Sequence, residues 1–488
     1  MRTRAVSRAL GYLLIIYSVT FILPVLVGLR FGEDFRSLLA VFGLPAVITA
    51  SFGAVLRLVG GREEELRDRE AFVTVSLAYL LISFFGCLPY MLSGALPGFL
   101  DAFFESTSGF TTTGSSVMMV VDNFSAIPHS IILWRAETAL IGGMGIIVLS
   151  MVVLARVVGG STQLFRAESS VHATIRMRPT IRQIATTLWL IYLGFVALEI
   201  MLLSAAGMDL FDSVCHAFTS LSTCGFSSRT AGISYWNSNP WIGTIITMFM
   251  LLGGMSFTLH YDWMTGKFRK LRENVEFQFY IGMMLLSSAI IFGVLWSNGT
   301  YSTMGEMASH SLFNTASIMT TTGYASSDFA LWPSGPQLLL IFLMIIGAMS
   351  GSTAGGIKVI RFVVLLKLVR REIQKVIHPR AILPITLGGR PITEDTQRNV
   401  VTYFFIFIMV FCIVALGLAI VGMTIAEGLA SSAQALGGVG PALGAYGPMS
   451  TYEALHPVGK ALLCFNMWLG RLEIYPALLL LSPSAYRR

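Results

Sequence analysis

Charge is the component that this sequence has least of. Only 12% of its 488 residues are charged and 55% are hydrophobic, whereas about 25% of the residues of a soluble domain carry a charge. The mean hydropathy is correspondingly high, at +0.73. These values exclude a soluble globular protein, and the length is enough for many membrane-spanning helices rather than a single anchor.

Cysteine pairs and cofactor motifs are also missing. The five cysteines include no CxxC pair, which argues against a zinc site or a disulfide framework. The sequence has no G-x-G-x-x-G or Walker A motif, so we expect this chain to bind no nucleotide or other cofactor itself. No nucleophile–base pair recurs at a plausible spacing, so the alternative of an intramembrane enzyme has no support. The net charge of +7 does not indicate a nucleic-acid partner, because the basic residues follow the membrane topology.

Long apolar runs are abundant instead. Arginines precede the first run, as in a signal peptide, but the run is longer than a typical signal-peptide core and no small-x-small cleavage site follows it. We therefore expect a retained first helix and a multi-pass membrane protein. The ten runs lie near 9–29, 37–59, 72–95, 131–155, 185–206, 241–264, 278–297, 337–366, 400–421 and 458–483.

The basic residues lie mostly on one side of these runs. Ten helices with an inside N-terminus put both termini and the linkers between repeats in the cytoplasm, and only five basic residues fall outside. This asymmetry satisfies the positive-inside rule and predicts a protein of the cytoplasmic (inner) membrane with both termini cytoplasmic. The basic residues assigned to the cytoplasm cluster in 62–69, 176–182, 267–272, 367–390 and 487–488.

Four of the gaps between apolar runs contain a tripeptide that ends in glycine. Each follows a segment that could form a half-helix, at 101–111, 212–222, 309–320 and 427–436. The final glycines of the tripeptides are spaced roughly 100 residues apart, which is typical of an internal repeat. The tripeptides are Thr112-Thr113-Gly114, Thr223-Cys224-Gly225, Thr321-Thr322-Gly323 and Gly438-Val439-Gly440.

These tripeptides have the chemistry of a filter for a monovalent cation. Backbone carbonyls can replace the water shell of K⁺, glycine lets them turn toward an axis, and the negative C-terminal end of a half-helix favours a cation. The alternative is that these are ordinary glycines at helix-packing contacts or turns. That alternative would account for one such loop, but it accounts poorly for four. The first loop offers Thr107-Ser108-Gly109 as another register, and the fourth lacks Thr and is followed by Pro441.

A segment of small residues interrupts the apolar run 337–366. Its glycines should break the helix, and irregular backbone at membrane depth is tolerated where it lines a cavity. The alternative is a small-residue face for helix packing. The segment is Gly347, Ala348, Met349, Ser350, Gly351, Ser352, Thr353, Ala354, Gly355 and Gly356.

Arg471 is a charge in the interior of the last apolar run. Such a residue is expected to be buried with a partner and to have a function. In a cation path it would form an electrostatic barrier. The alternative is a structural ion pair with Glu473 or another buried acid.

Together these features resemble the Trk/Ktr/HKT superfamily of potassium transporters, and within it the bacterial or archaeal TrkH subunit. The two leading helices favour the TrkH branch. The segments that carry the resemblance are FESTSGFTTTGSSV (104–117), LWRAETALIGGMGIIVLS (133–150), HAFTSLSTCGFSS (216–228), TASIMTTTGYASSDFALWP (315–333), GSTAGGIKVIR (351–361) and LGGVGPALG (436–444).

The resemblance implies potassium uptake through a selective, channel-like pore. Gly114 stands where sodium-selective relatives tend to have Ser, the segment 347–356 corresponds to an intramembrane gate, and Arg471 lies near that gate. The resemblance also implies a homodimer, gated by a cytoplasmic ring of TrkA-type regulatory subunits that carry the nucleotide, ATP/ADP or NAD. The alternative is a K⁺ symporter coupled to H⁺ or Na⁺.

We therefore predict an all-α membrane protein with ten transmembrane helices. Two leading helices precede four helix–pore-loop–helix repeats around a pseudo-fourfold pore. The predicted boundaries are 1–65 for the leading helices, 66–160 for the first repeat, 161–266 for the second, 267–376 for the third with the gate segment, and 377–488 for the fourth.

Overall fold

The computed structural model describes residues 2–61, 66–118, 127–152, 181–381 and 383–481, which fold mainly as α-helices. The described residues contain one small sheet, in which β1 (Thr386–Leu387) pairs antiparallel with β2 (Arg390–Pro391). In chain order the helices are α1 (Thr3–Ser18), α2 (Ile22–Arg30), α3 (Phe35–Leu38), α4 (Leu44–Val59), α5 (Asp68–Gly86), α6 (Leu88–Leu92), α7 (Phe99–Phe110), α8 (His129–Val152), α9 (Ile181–Ala205), α10 (Leu210–Leu221), α11 (Pro240–Gly254), α12 (Phe257–Met264), α13 (Phe268–Glu273), α14 (Val275–Ser297), α15 (Met304–Met319), α16 (Ser334–Ile346), α17 (Val359–Ile377), α18 (Glu394–Ile420), α19 (Ile425–Gly437), α20 (Pro457–Arg471) and α21 (Tyr475–Leu481).

Six helical segments of the described residues are long and apolar enough to cross a membrane. In five of them only 33% of the most apolar window is buried, so their outer faces are broad apolar surfaces of the kind that lipid covers. The six segments are Thr3–Arg30, Phe35–Val59, Arg69–Leu92, Ala185–Ala205, Val275–Ser297 and Glu394–Ile420.

Three of the predicted spans outside these six segments are bent or broken. The run 241–264 bends by 104° between α11 and α12. The run 337–366 is interrupted between α16 and α17, which confirms the helix break predicted for the small-residue segment. The last run also breaks, directly after Arg471, because Glu473 (φ 55°) and Ile474 (φ 61°) adopt left-handed backbone. Arg471 therefore ends a helix and does not lie in the middle of one.

Four short helices converge on the centre of the fold, and they confirm the predicted half-helices. They are α7, α10, α15 and α19. Each packs against the long helix that precedes it in the chain, namely α5, α9, α14 and α18. Each also contacts the helix that follows the previous loop, so that α10 packs on α8, α15 on α11, α19 on α16, and α7 on α20. The last contact closes the sequence of contacts into a ring.

The leading helices pack beside this ring. Helix α1 lies along α4 and also contacts α5. Glycines permit the close approach of α1 and α4, because a Cβ at Gly11 would lie 2.5 Å from the carbonyl oxygen of Gly53. The predicted boundaries of the repeats remain a prediction. The boundary at 160, and the basic residues predicted at 62, 176, 178, 487 and 488, lie outside the described residues.

Candidate ion pathway

The four short helices end in the same backbone turn. The amide of the middle tripeptide residue donates to the carbonyl oxygen five residues earlier, as in a Schellman motif. The equivalent bonds run from Thr113 to Ser108 (2.8 Å), from Cys224 to Thr219 (2.9 Å), from Thr322 to Ser317 (2.9 Å) and from Val439 to Gln434 (2.9 Å). The four loops therefore begin with one common geometry.

The dihedral angles repeat in the same register. The first tripeptide residues have φ of 51° at Thr112, 57° at Thr223, 58° at Thr321 and 70° at Gly438. The final glycines have φ of 83°, 80°, 82° and 105° at Gly114, Gly225, Gly323 and Gly440. Left-handed backbone is uncommon for a non-glycine residue, so three equivalent threonines in it form a strong structural signature. The other possible register of the first loop is wrong, because Gly109 lies inside α7.

The four final glycines lie against the neighbouring loops. A Cβ on Gly114 would overlap the carbonyl oxygen of Cys224, one on Gly225 that of Thr322, and one on Gly323 that of Val439. The remaining position, Gly440, closes the circle, with 2.8 Å between such a Cβ and the carbonyl oxygen of Thr113. Only glycine fits at the first three positions. The main chains of successive loops therefore meet in a ring that follows the order of the chain.

The small-residue segment between α16 and α17 lies against the ends of three short helices. The Gly355 amide donates to Thr321 Oγ1 at 2.8 Å, and Thr353 Oγ1 donates to the Leu221 carbonyl at 3.0 Å. A Cβ on Gly355 would overlap the carbonyl oxygen of Gly437. The segment thus touches the second, third and fourth of these helix ends at once.

Arg471 fixes this segment to the first repeat. Its guanidinium donates to the carbonyl oxygens of Thr353 (2.8 Å) and Gly142 (2.7 Å), and the residue is 5% exposed. Glu473 instead pairs with Arg361. The alternative interpretation of Arg471 as the ion-pair partner of Glu473 is therefore wrong.

Comparison with known proteins gives one consistent result. The family model named TrkH and described as a cation transport protein matches residues 40–486. The Trk system potassium uptake protein TrkH of Escherichia coli is 35% identical over the full length of both chains. TrkG of the same organism is 31% identical over 99% of each chain. The crystal structure of the potassium transporter TrkH from Vibrio parahaemolyticus superposes with a TM-score of 0.90, at 31% identity over 100% of both chains.

The chain belongs to the TrkH family. The predicted family membership is confirmed, and the chain is a multi-pass membrane protein of a transport family rather than an enzyme. Within the described residues, no cluster of three or more His, Cys, Asp or Glu side chains could hold a metal ion.

A polar network supports the fourth loop of this TrkH-family chain. Gln434 Oε1 accepts from the Gly440 amide at 3.1 Å and from Ser115 Oγ at 3.0 Å. Its amide group donates to the Tyr452 hydroxyl at 2.9 Å. Gln434 therefore joins the fourth loop to the residue that follows Gly114, and the sequence analysis did not identify it.

A buried ion pair joins the first and second loops. Arg135 Nε lies 2.5 Å from Glu105 Oε1, with the two side chains 5% and 0% exposed. Glu105 also accepts from the Val117 amide at 2.9 Å, and Arg135 donates to the Ser227 carbonyl at 2.8 Å. The pair therefore ties the chain after the first tripeptide to the chain after the second, with the Arg135 guanidinium 3.7 Å from the centre of the Phe226 ring.

Proposed function

We propose that this protein carries K⁺ into the cell through a pore formed by the four tripeptide loops. The observation that carries the proposal is the ring in which glycines of successive loops lie against each other's carbonyls. Such a ring offers several main-chain oxygens to one ion, as K⁺ filters do. The Trk names of the relatives, which are potassium uptake proteins, support K⁺ as the ion.

The pore would be surrounded by ten spanning helices in two leading helices and four repeats, divided as predicted. Six described segments meet the criteria for a span. The remaining four spans would be formed by α8, the bent pair α11–α12, the interrupted pair α16–α17 and the broken pair α20–α21. Cytoplasmic termini follow from the basic residues of the linkers, since basic loops face the cytoplasm.

Uptake would need no second ion. An inside-negative membrane potential favours the entry of a cation by about 2.3 kcal/mol per 100 mV. Coupling to H⁺ or Na⁺ is the alternative mechanism. Only in the coupled mechanism does a pH or sodium gradient alone drive K⁺ movement.

The segment 347–356 and Arg471 would form the gate. The segment passes between the inner ends of three short helices, and its contact with Thr321 puts it directly beside a tripeptide. Arg471 adds a buried positive charge at the same place, which opposes a cation in a medium of low dielectric constant. Opening would then require that the segment and Arg471 move away from the ring axis.

The partners would be a second copy of the chain and a cytoplasmic ring of TrkA-type subunits that binds ATP/ADP or NAD. The relatives are named as parts of a Trk system, which supports partner subunits. The basic linkers at 265–276 and 367–398 offer surfaces for docking. Arg269, which is 89% exposed, is an example of the available charge.

The test is ⁸⁶Rb⁺ uptake into proteoliposomes that contain the purified chain, with and without its regulatory partner. Competition by K⁺ but not by Na⁺ is the expected result. Equal competition by Na⁺ would contradict a potassium-selective ring. Uptake that required an imposed pH or sodium gradient would favour the coupled mechanism, and no uptake under any of these conditions would overturn the proposal.

A further inference from the structure

One buried carboxylate binds both the gate segment and the helix that follows it, α17. Glu276, in the first turn of α14, is 1% exposed. Its Oε1 accepts from the Ser350 amide at 2.7 Å and from the Ile360 amide at 3.2 Å. These two amides are ten positions apart in the chain (360 − 350), yet they share a single acceptor atom. The carboxylate therefore ties the gate segment to the first turn of α17 and closes the chain between them into a loop.

The opposite side of the segment is held by main-chain bonds and by the Thr353 hydroxyl, which donates to the Gly253 carbonyl at 3.1 Å. The Met349 amide donates to the Gly254 carbonyl at 3.1 Å, and the Phe257 amide donates to the Gly351 carbonyl at 3.1 Å. Glu276 accepts two bonds from this part of the chain, so it is a principal contact of the segment, together with the Arg471 guanidinium that donates to the Thr353 carbonyl.

Glu276 has a basic neighbour. Lys358 interacts electrostatically with Glu276, and also with Glu473, Arg361 and Arg471. The N-terminal end of α14 also favours a negative charge at this position.

Glu276 also lies close in the chain to a basic segment that the proposed topology puts in the cytoplasm. Helix α14 begins directly after α13 and the basic segment 267–272. Asn274 caps α14 by accepting from the Phe277 amide at 2.8 Å, so the start of this helix is well defined. A displacement of the basic segment would therefore move the Glu276 carboxylate relative to the loop.

We propose that Glu276 is a positioning residue that keeps the gate segment closed, and that its withdrawal with the start of α14 releases the segment. The inference rests on the proposed function, since it assumes that the segment blocks the pore. It assigns to Glu276 the role of a latch between the cytoplasmic linker and the gate.

The experiment compares Glu276→Ala, which removes the acceptor, with Glu276→Gln, whose amide oxygen can still accept both bonds. We expect basal ⁸⁶Rb⁺ uptake of Glu276→Ala without the partner to rise about tenfold, the factor that corresponds to 1.4 kcal/mol. The glutamine variant should rise less. Glu306→Ala removes an exposed acid from the first turn of α15, and it should leave basal uptake unchanged.

The ratio of basal to partner-stimulated uptake separates a latch from a structural role. A latch raises basal uptake while stimulated uptake and the preference for K⁺ over Na⁺ stay at the wild-type level. If the carboxylate only stabilises the fold, Glu276→Ala and Glu276→Gln should both show lower basal uptake and lower stimulated uptake. Both variants should then also unfold at a lower temperature.

Two results would overturn the inference. The first is wild-type basal uptake in Glu276→Ala. The second applies if that variant does not fold. It is a wild-type ratio of basal to stimulated uptake in both Glu276→Gln and Glu276→Asp, since the shorter aspartate side chain cannot keep both bonds. Failure of wild-type uptake with the partner present would instead be a failure of the proposed function, so the two are distinguishable.

Discussion

Replacement of Gly114 by Ser tests the ring more directly than any other change. A Cβ at this position would overlap the carbonyl oxygen of Cys224, so the second loop must move. The backbone (φ 83°) adds a strain of about 1–2 kcal/mol for any residue other than glycine. A displaced carbonyl alters the number and distance of the oxygens around the ion, on which discrimination between K⁺ and Na⁺ depends.

We expect the preference of Gly114→Ser for K⁺ over Na⁺ to fall at least about tenfold, which corresponds to 1.4 kcal/mol and is comparable to the backbone strain alone. The measurement is ⁸⁶Rb⁺ uptake into proteoliposomes with increasing K⁺ or Na⁺ as competitor. The ratio of the two half-inhibiting concentrations gives the preference without any knowledge of the absolute rate.

Gly438→Thr is the matched comparison. Gly438 has a similar positive φ of 70°, but nothing lies within 4 Å of a Cβ built there, and the other three loops carry Thr at the equivalent position. Both variants therefore share the backbone strain, and only Gly114→Ser adds the overlap. Equal preferences for K⁺ in wild type and Gly114→Ser, or an equally large loss in Gly438→Thr, would refute the reasoning.

Three further changes test the surroundings of the ring. Arg471→Ala removes two hydrogen bonds and a positive charge, so basal ⁸⁶Rb⁺ uptake should rise; unchanged uptake would contradict its role in the gate. Deletion of residues 350–353 should also raise basal uptake, and a blocked pore in a folded variant would argue against the gate. Glu105→Ala leaves Arg135 buried without its partner, and a thermal-unfolding assay should detect a loss of about 3–5 kcal/mol, whereas an unaltered melting temperature would contradict the importance of the pair.

The loops were predictable because their signals are local. Glycine at the third tripeptide position is favoured by a positive φ in all four loops, and in the first three it is also required by the carbonyl oxygen of the next loop. The helix break between α16 and α17 was predictable for a similar reason, since Gly347 (φ 73°) and Gly356 (φ 76°) adopt backbone that other residues avoid. A pattern of glycines thus carries much of the fold of the centre.

The break after Arg471 has a weaker local signal. Pro476 follows it closely, but Glu473 and Ile474 adopt positive φ although neither is a glycine, and isoleucine is β-branched, which makes this conformation costly. The break is stabilised by the ion pair of Glu473 with Arg361, a residue more than a hundred positions away. Contacts of this kind depend on the assembled fold, and the same is true of Gln434 and of the Arg135–Glu105 pair.

The fourth loop explains how a ring can keep one geometry with unequal sequences. It lacks the threonine of the other loops, yet Gly438 takes the same left-handed backbone at no steric cost. The hydrogen bonds of Gln434 to Gly440 and Ser115 then hold the loop from behind. Pro441 fills the space beside Gly323, where a Cβ would lie 2.8 Å from the proline ring. The main chain thus keeps one geometry in all four loops while the side chains differ, so in the proposed filter the fourth loop would offer carbonyl oxygens but no threonine hydroxyl.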